Sequence, residues 1–263
     1  MDARALFHQT AVTTLNRVAR TPRAARALFA MVGFHDHWSE HASEELRFLA
    51  FCAGMRPLAH GQILQDLWVL YELDLASRGY FVEFGAYDGT AHSNTRLLED
   101  RGWTGLLVEP NPDLAAALRG TRTAVVDSRC VWDTTGDEVD LLVTGDPELS
   151  TVAAHASHDL HTDARHATAV RTVAVPTVSL DDLLDEHGAP ATIDFMSVDT
   201  EGTELRILRA FDFTRHRPRL LAVEHNGRAN EQELDALMAS HGYEKRFRSM
   251  SDWDAWYRLR ADA

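Results

Sequence analysis

Two glycines and two carboxylates share the stretch FVEFGAYDGT, residues 81 to 90. Gly85 and Gly89 suit a turn in which the backbone approaches a ligand closely, and such a turn after a strand usually cradles phosphate. Glu83 and Asp88 argue against phosphate, because negative side chains repel it. The three-glycine dinucleotide pattern is also incomplete, since Ala86 and Tyr87 stand where a second glycine is wanted. A positively charged ligand reverses the sign of the argument. S-adenosylmethionine carries a sulfonium and an ammonium and no phosphate, so Glu83 and Asp88 read as attractive partners for its amino-acid end.

Glu109 follows about two dozen residues after Gly85, at the end of the next apolar run. An acidic residue at about that spacing takes the ribose hydroxyls of a nucleoside cofactor. The competing reading is that Glu109 only caps the helix NPDLAAALRG. Asp127 and Ser128 close the following run, where adenine contacts are expected.

These residues need a scaffold. From residue 80 onward, short apolar runs alternate with amphipathic segments. YFVEFG, TGLLVEP, TRTAVVDS, ATIDFMSVD and RPRLLAVEHN read as strands, and HSNTRLLEDRG, NPDLAAALRG, GTELRILRAF and NEQELDALMASHG as helices. Asn111 with Pro112 opens one helix, and Ser179 with Asp182 forms a capping box for another. DEVDLLVT is a further strand that could run antiparallel to its neighbour, and YEKRFRSMSDWDAWYRLR reads as two strands joined by a turn. Such alternation predicts an α/β fold: a mostly parallel, doubly wound sheet with helices on both faces and an antiparallel edge. Ligands of such sheets bind at the carboxyl ends of the strands.

Residues 1–77 read as helices, with Thr21 and Pro22 opening one, Ser43 and Gly54 bounding another, and a last one running from Gly61 to Gly79. They form an N-terminal helical extension, a lid, docking surface or homo-oligomer interface, ahead of a ligand-binding domain over residues 78–263. Residues 145 to 170 show no clean period. They hold His155, His158, His161 and His166, whose spacing fits no standard zinc site, and a polar lid is the expectation. Trp253 and Trp256 are expected in a core or interface.

The 263 residues suit one large domain with an extension. A formal net charge of -14 argues against nucleic acid and anionic membrane as partners. No apolar run reaches membrane-spanning length. Cys52 and Cys130 show no metal or redox spacing, which reads as a reducing, cytoplasmic setting.

In GQILQD, FVEFGAYDGTAHSNT, GLLVEPNP, VSLDDLL, IDFMSVDTEGTELRIL and LLAVEHN, in that order over residues 61 to 227, the sequence resembles the FkbM family of S-adenosylmethionine-dependent methyltransferases. The resemblance implies a Rossmann-like class I methyltransferase fold and O-methylation of sugars or natural products. Glu83, Gly85, Asp88, Gly89 and Glu109 match the family's cofactor motifs, with Ala86 and Pro110 in the same segments. Asn94 and Thr95 match the start of the helix behind the loop. Asp199, Glu201 and Gly202 match its Asp-x-Glu-Gly motif. One departure is Gly61, where the family often has serine.

Asp199 ends one central run, and Glu224, His225 and Asn226 end the next, so all should face one crevice. In one reading Asp199, Glu224 and Asn226 hold Mg²⁺, which binds the acceptor hydroxyl and lowers its pKa. In another, no metal is used, and His225 or Asp199 is the general base, with Glu201 beside it. Rival functions are a cofactor-fold module without catalysis, disfavoured by the retained acids, and a nucleotide-dependent oxidoreductase, disfavoured by the missing glycine and by Asp88. The acceptor is a hydroxylated small molecule whose identity the sequence does not specify.

Overall fold

The fold is described from a computed structural model. It describes residues 42–145, 150–155, 169–225, 228–251 and 253–262, with 13, 20–24 and 26 before them. The expectations for the first helices rest almost wholly on residues outside these. Those for Asn226 and for His158, His161 and His166 fall there too, as does anything about the His155 side chain. The chain divides into two compact units, Met1–Pro57 and Leu58–Ala263.

The first unit contains helix α1 (Glu44–Met55), which opens as expected: the Ser43 side chain accepts a hydrogen bond from the Leu46 N–H. Gly54 does not stop it; the helix runs one residue further into a short 3₁₀ turn, Arg56–Leu58.

The second unit begins with α2 (Gln65–Glu72), shorter than the predicted 61–79 span. Left-handed backbone at Leu64, Asp74 and Leu75 brackets it. Then come β1 (Tyr80–Phe84), α3 (Arg96–Asp100), β2 (Thr104–Val108), α4 (Pro112–Thr121) and β3 (Val125–Asp127). The chain continues through β4 (Cys130–Trp132), β5 (Glu138–Thr144), β6 (Thr151–Val152), β7 (Ala169–Ser179) and α5 (Leu180–Glu186). It closes with β8 (Thr192–Val198), α6 (Glu204–Ala210), β9 (Arg217–Glu224), α7 (Arg228–Ser240), β10 (Tyr243–Arg246) and β11 (Asp254–Leu259). Asn111 and Ser179 cap α4 and α5 as their sequences require, accepting from Asp113 and Asp182.

Seven strands form the main sheet in the order β10-β11-β9-β8-β1-β2-β3. Pairing is parallel from β9 through β3, and β11 runs antiparallel to both β9 and β10. This is the strand order of the class I methyltransferase fold, with its reversed strand second from one edge. A second sheet, β4-β7-β5-β6, lies beside it. The sequence reading missed that sheet. It needs β7, whose run contains Pro176, a residue that demotes a strand in pattern reading. Pro176 faces Glu138 of β5, and the antiparallel β5–β7 pairing extends from there to Ala169.

Alternation along β1 divides its side chains between two faces. Val82 and Phe84 join the core with Leu106, Met196 and Leu221 of neighbouring strands and with Leu183, Ile207 and Leu234 of α5, α6 and α7. On the opposite face, Trp68 of α2 stacks on Trp256 at 5.2 Å and meets Phe195 edge-on. Trp256 is therefore core, as expected.

Glu83 also faces that second side and is fully buried. Its carboxylate accepts from the Ser93 hydroxyl at 3.1 Å, the Asn94 N–H at 2.7 Å and the Thr95 hydroxyl at 2.5 Å. These bonds take the 93–95 segment out of the helix, so α3 begins at Arg96 rather than near His92. The Arg122 guanidinium, itself wholly buried, sits 3.8 Å from Glu83 and contacts Glu99. It donates to the Gly89 carbonyl, the Ser93 hydroxyl and the Thr95 hydroxyl. One guanidinium thus neutralises two buried carboxylates and fastens the glycine turn to α3. Removing one partner of such a group leaves uncompensated charge. Arg122→Ala should lower the unfolding free energy by about 3–5 kcal/mol in urea titrations. A loss below about 1 kcal/mol, the level of an exposed pair, would contradict this account.

Candidate active site

The carboxyl ends of β1, β2, β8 and β9 carry the residues that the sequence singles out. After β1 the chain turns at Gly85, whose φ is +69°. Its N–H donates to the Val108 carbonyl of β2. A Cβ on Gly85 would lie 2.1 Å from the Asp199 carbonyl oxygen, so only glycine lets β1 and the loop after β8 meet here. Ala86 is buried. Asp88 accepts from the Thr90 and Ala91 N–H groups at 2.7 and 2.8 Å, which holds the turn.

Glu109 takes the Tyr87 N–H on one oxygen at 3.1 Å and the Asn111 N–H on the other at 2.8 Å. It therefore ties the glycine turn to the start of α4, with half-buried Pro110 between the two. Burial pushes its pKa up to about 7, and the two backbone donors offset only part of that. Each oxygen keeps a second lone pair for a hydroxyl.

Glu83 is engaged within the protein. The sequence reading makes it a partner for the ligand's ammonium, but the protein's own Arg122, Ser93, Asn94 and Thr95 occupy its carboxylate. Its place in the structure is that of a positioning residue. Asp127 is likewise engaged, by Arg129 at 2.7 Å and His187 at 2.8 Å. Burial works against its charge, yet these hydrogen bonds win and hold its pKa down to about 2. Ser128 beside it is exposed.

Asn94 donates to the Ser197 hydroxyl at 2.9 Å, while its Oδ1 is buried without a partner. The site where a Cβ on Gly61 would lie is 3.1 Å from that oxygen and 3.0 Å from Gln65 Oε1 and Asp66 Oδ1. Three acceptors thus converge where this chain lacks a side chain. A serine at this position, frequent in the resembling family, would bring a donor.

The densest charge lies at the ends of β8 and β9. Ligand oxygens of Asp199, Glu201 and Glu224 all fall within 4.8 Å of one another. Burial, then repulsion from Glu201, Asp254 and Glu204, drives the Asp199 pKa well above the ordinary carboxylate range. Glu224 is raised too, by burial and then by Asp199, with which it shares a hydrogen bond. Glu201 sits in left-handed backbone, φ 56°, an uncommon state for a residue with a side chain and one that clusters at functional sites. His225 is buried, its N–H donates to the Trp253 carbonyl at 3.0 Å, and burial lowers its pKa, so the ring is neutral at pH 7.

Residues not singled out by the sequence complete the arrangement. Glu204 accepts from the Thr200 N–H and hydroxyl and from the Gly202 N–H, which shapes the 199–203 loop. Asp254 of β11 is in register with Glu224 and accepts from Gln65 Nε2 at 2.7 Å. Burial pushes its pKa up to about 6. Its position in DWDAWY shows no spacing signal; only the sheet order brings it here.

The donor set fits both groups that the sequence implies. Glu109 offers free lone pairs to a ribose diol, and the orphaned Asn94 Oδ1 is an acceptor suited to a cationic end group. Three clustered carboxylates are the hard oxygen ligands that Mg²⁺ takes. No helix among the described residues is long and apolar enough to cross a membrane.

The Methyltransferase FkbM domain family matches residues 83–245. No curated protein matches the chain. Among solved structures, it is similar to precorrin-6y C5,15-methyltransferase from Geobacter metallireducens, at 12% identity and TM-score 0.38 over 76% of this chain and 88% of that one. It is also similar to a TehB-like SAM-dependent methyltransferase from Corynebacterium glutamicum, at 11% identity and TM-score 0.35 over 82% and 100%. A third is the SAH-bound Podospora anserina methyltransferase PaMTH1, at 10% identity and TM-score 0.36 over 92% and 97%.

The raised carboxylates set the pH response without ligands. An acid whose folded pKa exceeds its unfolded value stabilises below the unfolded pKa and loses that contribution as pH rises through the folded one. For Glu109 and Asp254 those windows run from the ordinary carboxylate values of 4.5 and 3.8 to about 7 and about 6. The melting temperature of the ligand-free protein should therefore fall between pH 5 and 7.5, and Glu109→Gln should flatten the curve. A midpoint that rises across this range would show these groups to be solvated.

Proposed function

The chain belongs to the FkbM methyltransferase family and is an S-adenosylmethionine-dependent methyltransferase, and from this premise we propose that it methylates a hydroxyl of a sugar or natural-product acceptor. The observation that carries the O-methyl reading is the convergence of Asp199, Glu201 and Glu224 beside Gly85. A hydroxyl is a poor nucleophile until its proton is taken or its oxygen is bound by a cation.

The cofactor supplies an electrophilic methyl on sulfonium. Glu109 would hold its ribose, the Gly85–Gly89 turn would lie against it, and Asn94 would meet its amino-acid end. Asp199, Glu201 and Glu224 would hold Mg²⁺, whose charge relieves their crowding and acidifies the acceptor hydroxyl. Asn226, expected as a ligand from sequence, lies outside the described residues. His225, neutral and at the same strand end, supports a second, metal-free reading in which it accepts the hydroxyl proton. In-line methyl transfer depends chiefly on alignment, which the Gly85–Asp199 contact and the Arg122 anchor enforce. We place the reaction in the cytoplasm, where the buried thiols of Cys52 and Cys130 stay reduced.

Calorimetry tests the cofactor step: S-adenosylhomocysteine should bind and NAD should not, with Glu109→Ala weakening binding at least tenfold. Binding of NAD alone would end the methyltransferase reading. For the acid cluster, Asp199→Asn should reduce turnover at least a hundredfold while S-adenosylhomocysteine still binds. Chelator should abolish turnover and Mg²⁺ restore it; full turnover in chelator would leave His225 as the base.

A further inference from the structure

A cavity of about 500 Å³ opens between α6 and α7 where β9 ends. This lies within the range of roughly 300–1,000 Å³ typical of small-molecule sites. Glu224, His225 and Glu204 line it, as do Asp133, Arg206 and Asn230. It therefore shares Glu224 and His225 with the acid cluster.

Arg206 is held as a recognition group. Its Nε donates to Asp133 Oδ2 at 2.8 Å, and its guanidinium lies 4.3 Å over the Trp132 ring. Those contacts fix the plane of the fork. Its two terminal nitrogens have no hydrogen-bond partner among the described residues. A planar fork with both tips free matches a carboxylate through two parallel hydrogen bonds. Arg209, also on the lining, pairs with Glu233 at 2.6 Å with both side chains more than half exposed, so its guanidinium is less firmly placed than that of Arg206, which Asp133 and Trp132 pin. Asp133 Oδ1 is buried without a partner and offers an acceptor to a sugar hydroxyl.

The cavity therefore offers both signs of charge, the carboxylates of Glu204 and Glu224 and the Arg206 guanidinium paired to Asp133. Its lining along α6 runs from Glu204 to Ala210, which is about 9 Å of helix axis at roughly 1.5 Å per residue. We propose that this cavity is the acceptor site and that Arg206 selects a hydroxylated carboxylate of the uronic acid kind, with its acid group on Arg206 and a ring hydroxyl toward Glu224. The proposal rests on the hydroxyl-methyltransferase reading and names the substrate class for that same site.

The test is calorimetry on the full chain. Binding of S-adenosylhomocysteine is measured first, so that its absence marks failure of the methyltransferase reading itself. On the loaded protein, D-glucuronate should then bind at least tenfold more tightly than D-glucose. Arg206→Gln should bring the two within twofold while S-adenosylhomocysteine affinity stays unchanged, and Arg206→Lys, which keeps charge but loses the fork, should fall between. Equal binding of the two sugars, binding of neither, or a preference that survives Arg206→Gln overturns the proposal.

Discussion

A buried positive charge between two buried negative ones, Arg122 between Glu83 and Glu99, is the constraint on which the site depends. Charge of this kind is tolerated only when every partner is in place. The partners here come from β1, the glycine turn, the turn before α3, and α3 itself. Satisfying Arg122 therefore fixes where the backbone after β1 runs. The carboxylate in the turn's sequence is thus an internal fastener, with ligand chemistry handed to Glu109 one strand over. Glu109 in turn ties the same turn to α4, so two acids of different depth hold one loop from opposite sides.

At the far side of Gly85 the electrostatics have the opposite character. Asp199, Glu201, Glu204, Glu224 and Asp254 lie near enough to repel one another, and burial raises the cost of their charges. Glu201 adds left-handed backbone to this crowding. Such crowding is costly to folding and useful to chemistry, because a cation or a hydroxyl proton arriving there relieves the repulsion. Stability is spent at this edge and recovered in the apolar layers on both faces of the sheet.

Much of this was legible in the residues. Continuous apolar runs marked β1, β2, β8 and β9, and helix caps at Asn111 and Ser179 behaved as local chemistry dictates. The acids at strand ends were legible because parallel topology sends every strand's carboxyl end to one edge. What could not be read was contact across the sheet. Arg122 looks like any helix-end arginine, Asp254 like a polar residue in a tail, and Gln65 like a helix-surface amide; each acquires its role from a partner far along the chain. The second sheet escaped for another reason: β7 contains a proline and exposed side chains, so its pattern gives no strand period. The cation beside Glu83, Arg122, likewise gives no local signal, because it lies 39 positions further along the chain.

The sheet order has a consequence for how the enzyme is made. β9, which carries Glu224, is flanked on its outer side by β11, and among the described residues β10 pairs only with β11. During synthesis β9 therefore leaves the ribosome with an open hydrogen-bonding edge, and β10 emerges with no neighbour to join. Both wait for residues 254–259, and a bare apolar edge is the kind of surface that draws strands from other chains. The same late strand delivers Asp254 to Gln65, so the nascent chain acquires its reactive edge and loses its stickiest one in a single step.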